Sequence, residues 1–254
     1  MIIRERPDDI VMITQDDHAR ISGIFSSYWK KAFFNDDNKR RSVELAIYEH
    51  DRGWIPVDSK PLWNDKTNLP YSFMDLPTEP KLVFYKNGID EVEGMDFYAS
   101  LLCSHHYSRF TKNDTDEESL KFLKNEQERQ SRIKKLMIDF DKEAYQFHYD
   151  LLNFCDNLSL FVCLNEPGAT KKEEHSFYKN GLPIPSTFSF FEGNQLDICW
   201  RDGQTILLSQ LPFDAPVEIE IKQKVVSRKR ITEEGILSAY ENTPEESIQV
   251  RVTG

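Results

Sequence analysis

Cysteine is scarce and nowhere paired in this chain: its four, Cys103, Cys155, Cys163 and Cys199, include no C-x-x-C spacing. That excludes a zinc ribbon or a disulfide framework and reads as reduced, buried thiols, hence a cytoplasmic compartment. No run of ~18 uncharged apolar residues occurs, so no segment is suited to spanning a bilayer. Met1 to Asp9 holds two arginines and a glutamate and lacks an apolar stretch of signal length, so export is not expected either. Positive charge is also short: 32 Lys and Arg stand against 43 Asp and Glu, a net charge of -11. Such a field repels nucleic acid and membrane surfaces, and leaves a small anion at a locally cationic site as the expected charged partner. No segment repeats at a period of ~20 to 50 residues, which removes solenoids and propellers.

What is present is mainly helical periodicity. Thr14 is placed to cap a helix running to about Phe34, with Asp17 at its third position and Ile21, Ile24, Phe25 and Tyr28 at helical spacing. A second helix opens at Ser42, carries Val43, Ala46, Ile47 and His50 on one face, and ends at Gly53. Ile55 to Glu93, rich in proline, reads as a long irregular segment able to cover a site. A third helix includes Phe97, Tyr98, Leu101, Leu102, His105 and His106. Glu117 to Met137 is charged enough to lie outside, and Lys142 to Leu164 apolar enough to be central. After Pro167 the runs Thr187 to Phe191, Gln195 to Trp200, Thr205 to Ser209 and Val217 to Val226 have strand character. The 17 Phe and 10 Tyr fill the core and the helix to sheet interface, with Phe84, Tyr85, Phe97 and Tyr107 as candidates to line a pocket.

Five polar positions fall where these helices should point inward: His18, His50, Asp51, His105 or His106, and Asp156. A single histidine on an apolar face is more often a core residue bonded to a carbonyl. Several together, with a carboxylate between Leu152 and Leu160, are costly to bury unless they share a cation. Imidazole and carboxylate converging from separate helices suit Mn, Fe, Co, Ni or Zn. His148 and His175 read as structural or solvated.

The order His, His-Asp, further His, then Asp late on an apolar helix resembles the HD superfamily of metal-dependent phosphohydrolases, through Glu49-His50-Asp51-Arg52-Gly53 and Cys155-Asp156-Asn157-Leu158. The likeness spans His18 to Leu164 and is nearest a bacterial branch of unknown function with a strand region after the helices. It implies a mainly α fold: a helical bundle of the HD type over residues 1–166, with an antiparallel β-sheet extension, residues 167–254, packed on it. It implies His18, His50, Asp51 and Asp156 as ligands of a divalent transition metal, with Asp51 able to bridge to a second ion. His105 and His106 match the region of additional ligands, and at most one can face the cluster; His105 continues the Tyr98, Leu101, Leu102 face and is preferred. Arg52, with Arg20 and Lys60, is available to steady a phosphoryl group, and Asp58 and Trp54 to form the rim.

Three functions follow. The first is hydrolysis of a small phosphorylated metabolite or nucleotide. The second is a di-iron oxygenase of the HD type. The third is a non-catalytic, metal-stabilised binding or scaffold protein whose sheet pairs with a partner or with itself as a homo-oligomer.

Overall fold

The N-terminal residues, Ile2-Ile3 and Ile10 to Ile13, are short apolar runs broken by charge, and they pair as an antiparallel hairpin, β1 (Ile2–Glu5) and β2 (Asp9–Ile13). In the computed structural model, which describes residues 1–254, the chain leaves β2 directly into α1 (Gln15–Ser27), because the Thr14 hydroxyl accepts the Asp17 amide at 3.0 Å and caps the helix. There follow α2 (Arg40–Glu49), the short α3 (Ile55–Asp58), a two-residue pair β3 (Trp63–Asn64) and β4 (Leu69–Pro70), and α4 (Thr78–Glu93). Next come α5 (Phe97–Thr111), α6 (Glu117–Leu136) and α7 (Lys142–Leu164), each opened by an aspartate cap, Asp96, Asp116 and Asp141. The remainder is β5 (Leu182–Pro183), β6 (Gln195–Leu196), β7 (Ile198–Asp202), β8 (Thr205–Leu208), β9 (Val217–Ser227), α8 (Arg228–Glu234), α9 (Ile236–Glu241) and β10 (Glu246–Thr253).

The sheet corrects the expected architecture. Six strands stand in the order β1-β2-β9-β10-β8-β7, so both ends of the chain contribute to one sheet. It is mixed, because β10 lies parallel to β8 (Arg251 beside Thr205) and antiparallel to β9. A helical bundle of the HD type with an antiparallel C-terminal extension is therefore not what the chain builds. One core cluster runs through β1, the helices and the sheet, from Ile2 to Val252.

Other differences have local reasons. The segment after Ile55 is irregular only in part, up to Pro77: its second half is α4, which starts behind Pro77, and Pro80 sits in the first turn, where the missing amide would have no partner anyway. Leu82, Tyr85, Ile89 and Val92 then bury one face of it. Thr187 to Phe191 forms turns, not a strand, and Phe188 is buried against Trp29 and Phe154. Of the cysteines, Cys199 is exposed, on the outer face of β7. The sixteen buried residues of α7 make it the central helix, as its composition predicts, and α6 is largely exposed. No helix is long and apolar enough to cross a membrane.

One contact sets the turn after His50. Gly53 and Gly88 meet backbone to backbone, so that a Cβ on Gly88 would lie 2.6 Å from the Gly53 nitrogen. Gly88→Ala must push α4 off this turn, and is expected to lower stability by about 1–3 kcal/mol, read as a shift of the urea unfolding midpoint.

Candidate metal centre

Four elements deliver the site. His18 comes from the first turns of α1, His50 from the C-cap of α2 with Asp51 next to it, His106 from α5 and Asp156 from the middle of α7. All five are buried, none more than 5% exposed. His18 Nε2 lies 3.1 Å from Asp156 Oδ1 and 3.8 Å from Asp51 Oδ2, and His50 Nε2 lies 3.6 and 3.7 Å from the same two oxygens. His106 Nε2 faces Asp156 Oδ2 at 4.0 Å.

The partners of the other ring nitrogens show which atom each imidazole presents. His50 Nδ1 is 2.7 Å from the Ile47 carbonyl, an acceptor only, so Nδ1 carries the proton. His106 Nδ1 faces Asn153 Oδ1 at 3.3 Å, and that oxygen also accepts from Arg109, so again Nδ1 donates. His18 Nδ1 is 2.7 Å from Ser159 Oγ, which also lies 2.9 Å from the Asp156 carbonyl and 2.6 Å from Ser22 Oγ. All three rings thus turn Nε2 toward the carboxylates.

His50 Nε2 is buried and has no hydrogen-bond partner. At 3.6 Å its influence on Asp156 is electrostatic and not a hydrogen bond. Burial opposes charge on His50, but Asp51 and Asp156 outweigh it and raise its pKa to about 9. Burial likewise pushes the Asp156 carboxyl up, and the neighbouring imidazoles, His18 first, hold it well below the usual carboxylate range. Burial, with Arg109 beside it, holds His106 well below the ordinary imidazole range, hence neutral. An orphaned nitrogen between two carboxylates takes either a proton or a metal ion, and this donor set suits an ion. The groups His18, His50, Asp51 and His50, His106, Asp156 each bring their ligand atoms within 4.8 Å of one another, and these buried residues could hold a metal ion.

Around them the carboxylates are held. Asp51 Oδ1 accepts the Tyr107 hydroxyl at 2.7 Å and Oδ2 the Gln15 amide at 2.9 Å; Asp156 Oδ2 accepts Arg109 at 2.9 Å. A cavity of about 380 Å³ reaches the cluster, lined by His18, Asp51, His106 and Asp156 and, further out, by aromatic and cationic side chains.

His18, His50, Asp51 and Asp156 are brought together as their sequence pattern suggests. The preferred His105 is not among them: its Nδ1 meets the Tyr145 hydroxyl at 3.1 Å and its ring stacks on Tyr149, while its neighbour His106, about 100° round the helix, faces the cluster. Arg52 is tied to Glu49 and Glu91 away from the cavity. Asp58 is buried beneath the start of α1, accepting the Met1 amino group and the Gln15 backbone N–H at 2.6 Å each. Arg20 and Lys60 are exposed, and only Trp54 of the expected rim lines the cavity. Gln15 and Arg109 went unanticipated, although each stands three residues from a candidate ligand histidine on the same helix, a spacing that shares a face.

A family model described as a protein of unknown function, DUF3891, matches residues 1–228. The chain belongs to this family. No curated protein and no solved structure matches it. The DUF3891 match takes in all five site residues and β1 to β9, with α8, α9 and β10 almost wholly beyond it.

Two outcomes are expected of this DUF3891 chain. His50→Ala, Asp156→Asn and His106→Ala should lose bound metal while staying helical, whereas His105→Ala keeps it; elemental analysis beside circular dichroism reads both. Without metal, the raised pKa of His50 contributes stability that is full below the unfolded value of about 6.5 and is lost as pH rises through about 9. The melting temperature of chelator-treated protein should therefore fall across that window, and saturating metal should abolish the fall; a flat metal-free profile contradicts the assignment.

Proposed function

We propose that the chain is a metal-dependent phosphohydrolase acting on a small phosphorylated metabolite or nucleotide. The observation that carries this reading is the unpartnered His50 Nε2 between two buried carboxylates, Asp51 and Asp156, which themselves line a cavity that also holds cations. The order of the residues, His18, His50-Asp51 and Asp156 from three helices, supports the resemblance to the HD superfamily.

The donor set favours one ion. Both candidate groups contain His50, and one Nε2 lone pair serves one metal, so the five residues describe a single site. That counts against the di-iron oxygenase. A divalent transition metal, Mn, Fe, Co, Ni or Zn, would supply Lewis acidity and lower the pKa of a water at this point. The side chains do the rest. Arg109, already oriented by Asp156 and Asn153, is the nearest cation for phosphoryl oxygens. Gln15 Oε1 is buried without a partner and lines the same cavity, so it can accept a hydrogen bond from an attacking water while its amide holds Asp51. Tyr107 fixes the other oxygen of Asp51, which keeps that carboxylate from rotating.

Reconstituted protein should release phosphate from phosphomonoesters, stop when a chelator is added, and lose at least about 100-fold in kcat/KM in Asp51→Ala, more than loss of an outer-shell partner costs. Full turnover in that variant, or oxygen uptake without phosphate release, sinks the reading.

A further inference from the structure

The cavity wall beyond the metal residues is aromatic. Tyr85 and Tyr107 stack there with centroids 4.0 Å apart, and Trp54 packs on Tyr85. Phe110 and Phe177 line the same space yet keep 51% and 58% of their surface exposed. Phe110 is held edge-on by His106 at 5.2 Å and lies under the Arg109 guanidinium at 4.6 Å, so its position is fixed although its ring is uncovered. Uncovered rings at a cavity carrying metal ligands are surfaces for an apolar group of a ligand.

The same cavity holds a cation without a counter-ion. Lys81, on the first turns of α4, is half-buried and donates only to the Met74 carbonyl at 3.3 Å. No carboxylate lies within 4.0 Å of its amine, whereas Lys86, five residues on, is paired with Asp90. Burial pushes the Lys81 ammonium down, with Asp75 giving only partial compensation. A half-buried ammonium of this kind is satisfied by an incoming anion. Arg109 is the second cation, bound on one side to Asp156 and stacked on the other over Phe110. Anion recognition and an aromatic surface are therefore adjacent, joined at the Arg109 and Phe110 pair.

We propose that the cavity takes a phosphate monoester whose alcohol half is aromatic, with the phosphate toward Arg109 and Lys81 and the ring against Phe110 and Phe177. This rests on the hydrolase reading for what happens at the metal residues, but the ligand class can be tested without turnover. The full chain, loaded with Mn²⁺, is titrated calorimetrically with benzylphosphonate and with methylphosphonate, neither of which can be hydrolysed. Benzylphosphonate should bind about tenfold more tightly, the scale expected for covering one ring. Phe110→Ala and Phe177→Ala should each shrink that ratio, and Lys81→Met should weaken both phosphonates alike, with metal content and circular dichroism unchanged. Equal affinity for the two phosphonates, or a preference that survives in both phenylalanine variants, overturns the proposal. A kinetic comparison of phenyl phosphate with glycerol 3-phosphate separates the two readings. If the aromatic phosphonate is preferred and neither ester is hydrolysed, the hydrolase reading fails and the ligand class stands. If both esters are hydrolysed with equal kcat/KM and the phosphonates bind alike, the hydrolase stands and this inference falls.

Discussion

Two carboxylates buried against three imidazoles are the constraint around which the structure is arranged. Asp51 and Asp156 would each be costly in a dry interior, and removing one partner from a buried charge typically costs about 3–5 kcal/mol. The chain answers with donors on three of the four oxygens and imidazoles at the fourth. Tyr107 and Gln15 serve Asp51, Arg109 serves Asp156 Oδ2, and Asp156 Oδ1 faces His18 Nε2 at 3.1 Å and His50 Nε2 at 3.6 Å. Those donors are themselves held: Tyr107 by stacking on Tyr85, Arg109 by Asn153, and the backbone of Gln15 by Asp58. After all of this His50 Nε2 still lacks a partner, which is why the cluster reads as a site and not as a polar patch in the core.

The mixed sheet has a direct bearing on that cluster. His18 and Asp156 face one another at 3.1 Å from α1 and α7, so those helices must be fixed relative to each other. α1 emerges from β2, and β2 is hydrogen-bonded along β9, with Asp9 beside Ser227 and Met12 beside Lys224. At the far end of α7, the Arg4 guanidinium from β1 donates to the Asn165 carbonyl and to Gln223 of β9. Both helices are thus anchored to one sheet whose strands come from opposite ends of the chain. An appended C-terminal sheet would leave the start of α1 unsupported.

Much of the site was legible in the sequence because a buried charge on an amphipathic helix breaks an otherwise apolar stripe. His18, His50 and Asp156 each do so, and the helices carrying them were visible from their periodicity. The choice between His105 and His106 was not legible. Adjacent helical residues both border the buried face here, and which one turns inward depends on where α7 and α2 lie. The sheet was missed at its N-terminal edge because β1 and β2 are only four and five residues long and interrupted by Arg4, Glu5 and Arg6, and the place of their hairpin in the sheet is set by β2 pairing with β9, more than 200 residues away. α4 was hidden by Pro77, Pro80 and Gly88, residues that usually break helices. Here the prolines occupy the start and the glycine admits the Gly53 backbone.

That last helix links the parts. Its glycine face presses on the turn that follows His50 and Asp51, while its N-terminal half puts Lys81 and Tyr85 on the cavity. Tyr85 stacks on Tyr107, and Tyr107 is bonded to Asp51, so a displacement of α4 is felt by that carboxylate along two routes, through the backbone and through the stacked rings. Tight packing makes such a unit move as a body or not at all. The helix that brings Lys81 to the cavity is therefore also packed behind Asp51, one of the carboxylates that could hold a metal ion, so the cavity wall and the geometry of the candidate ligands are coupled through α4.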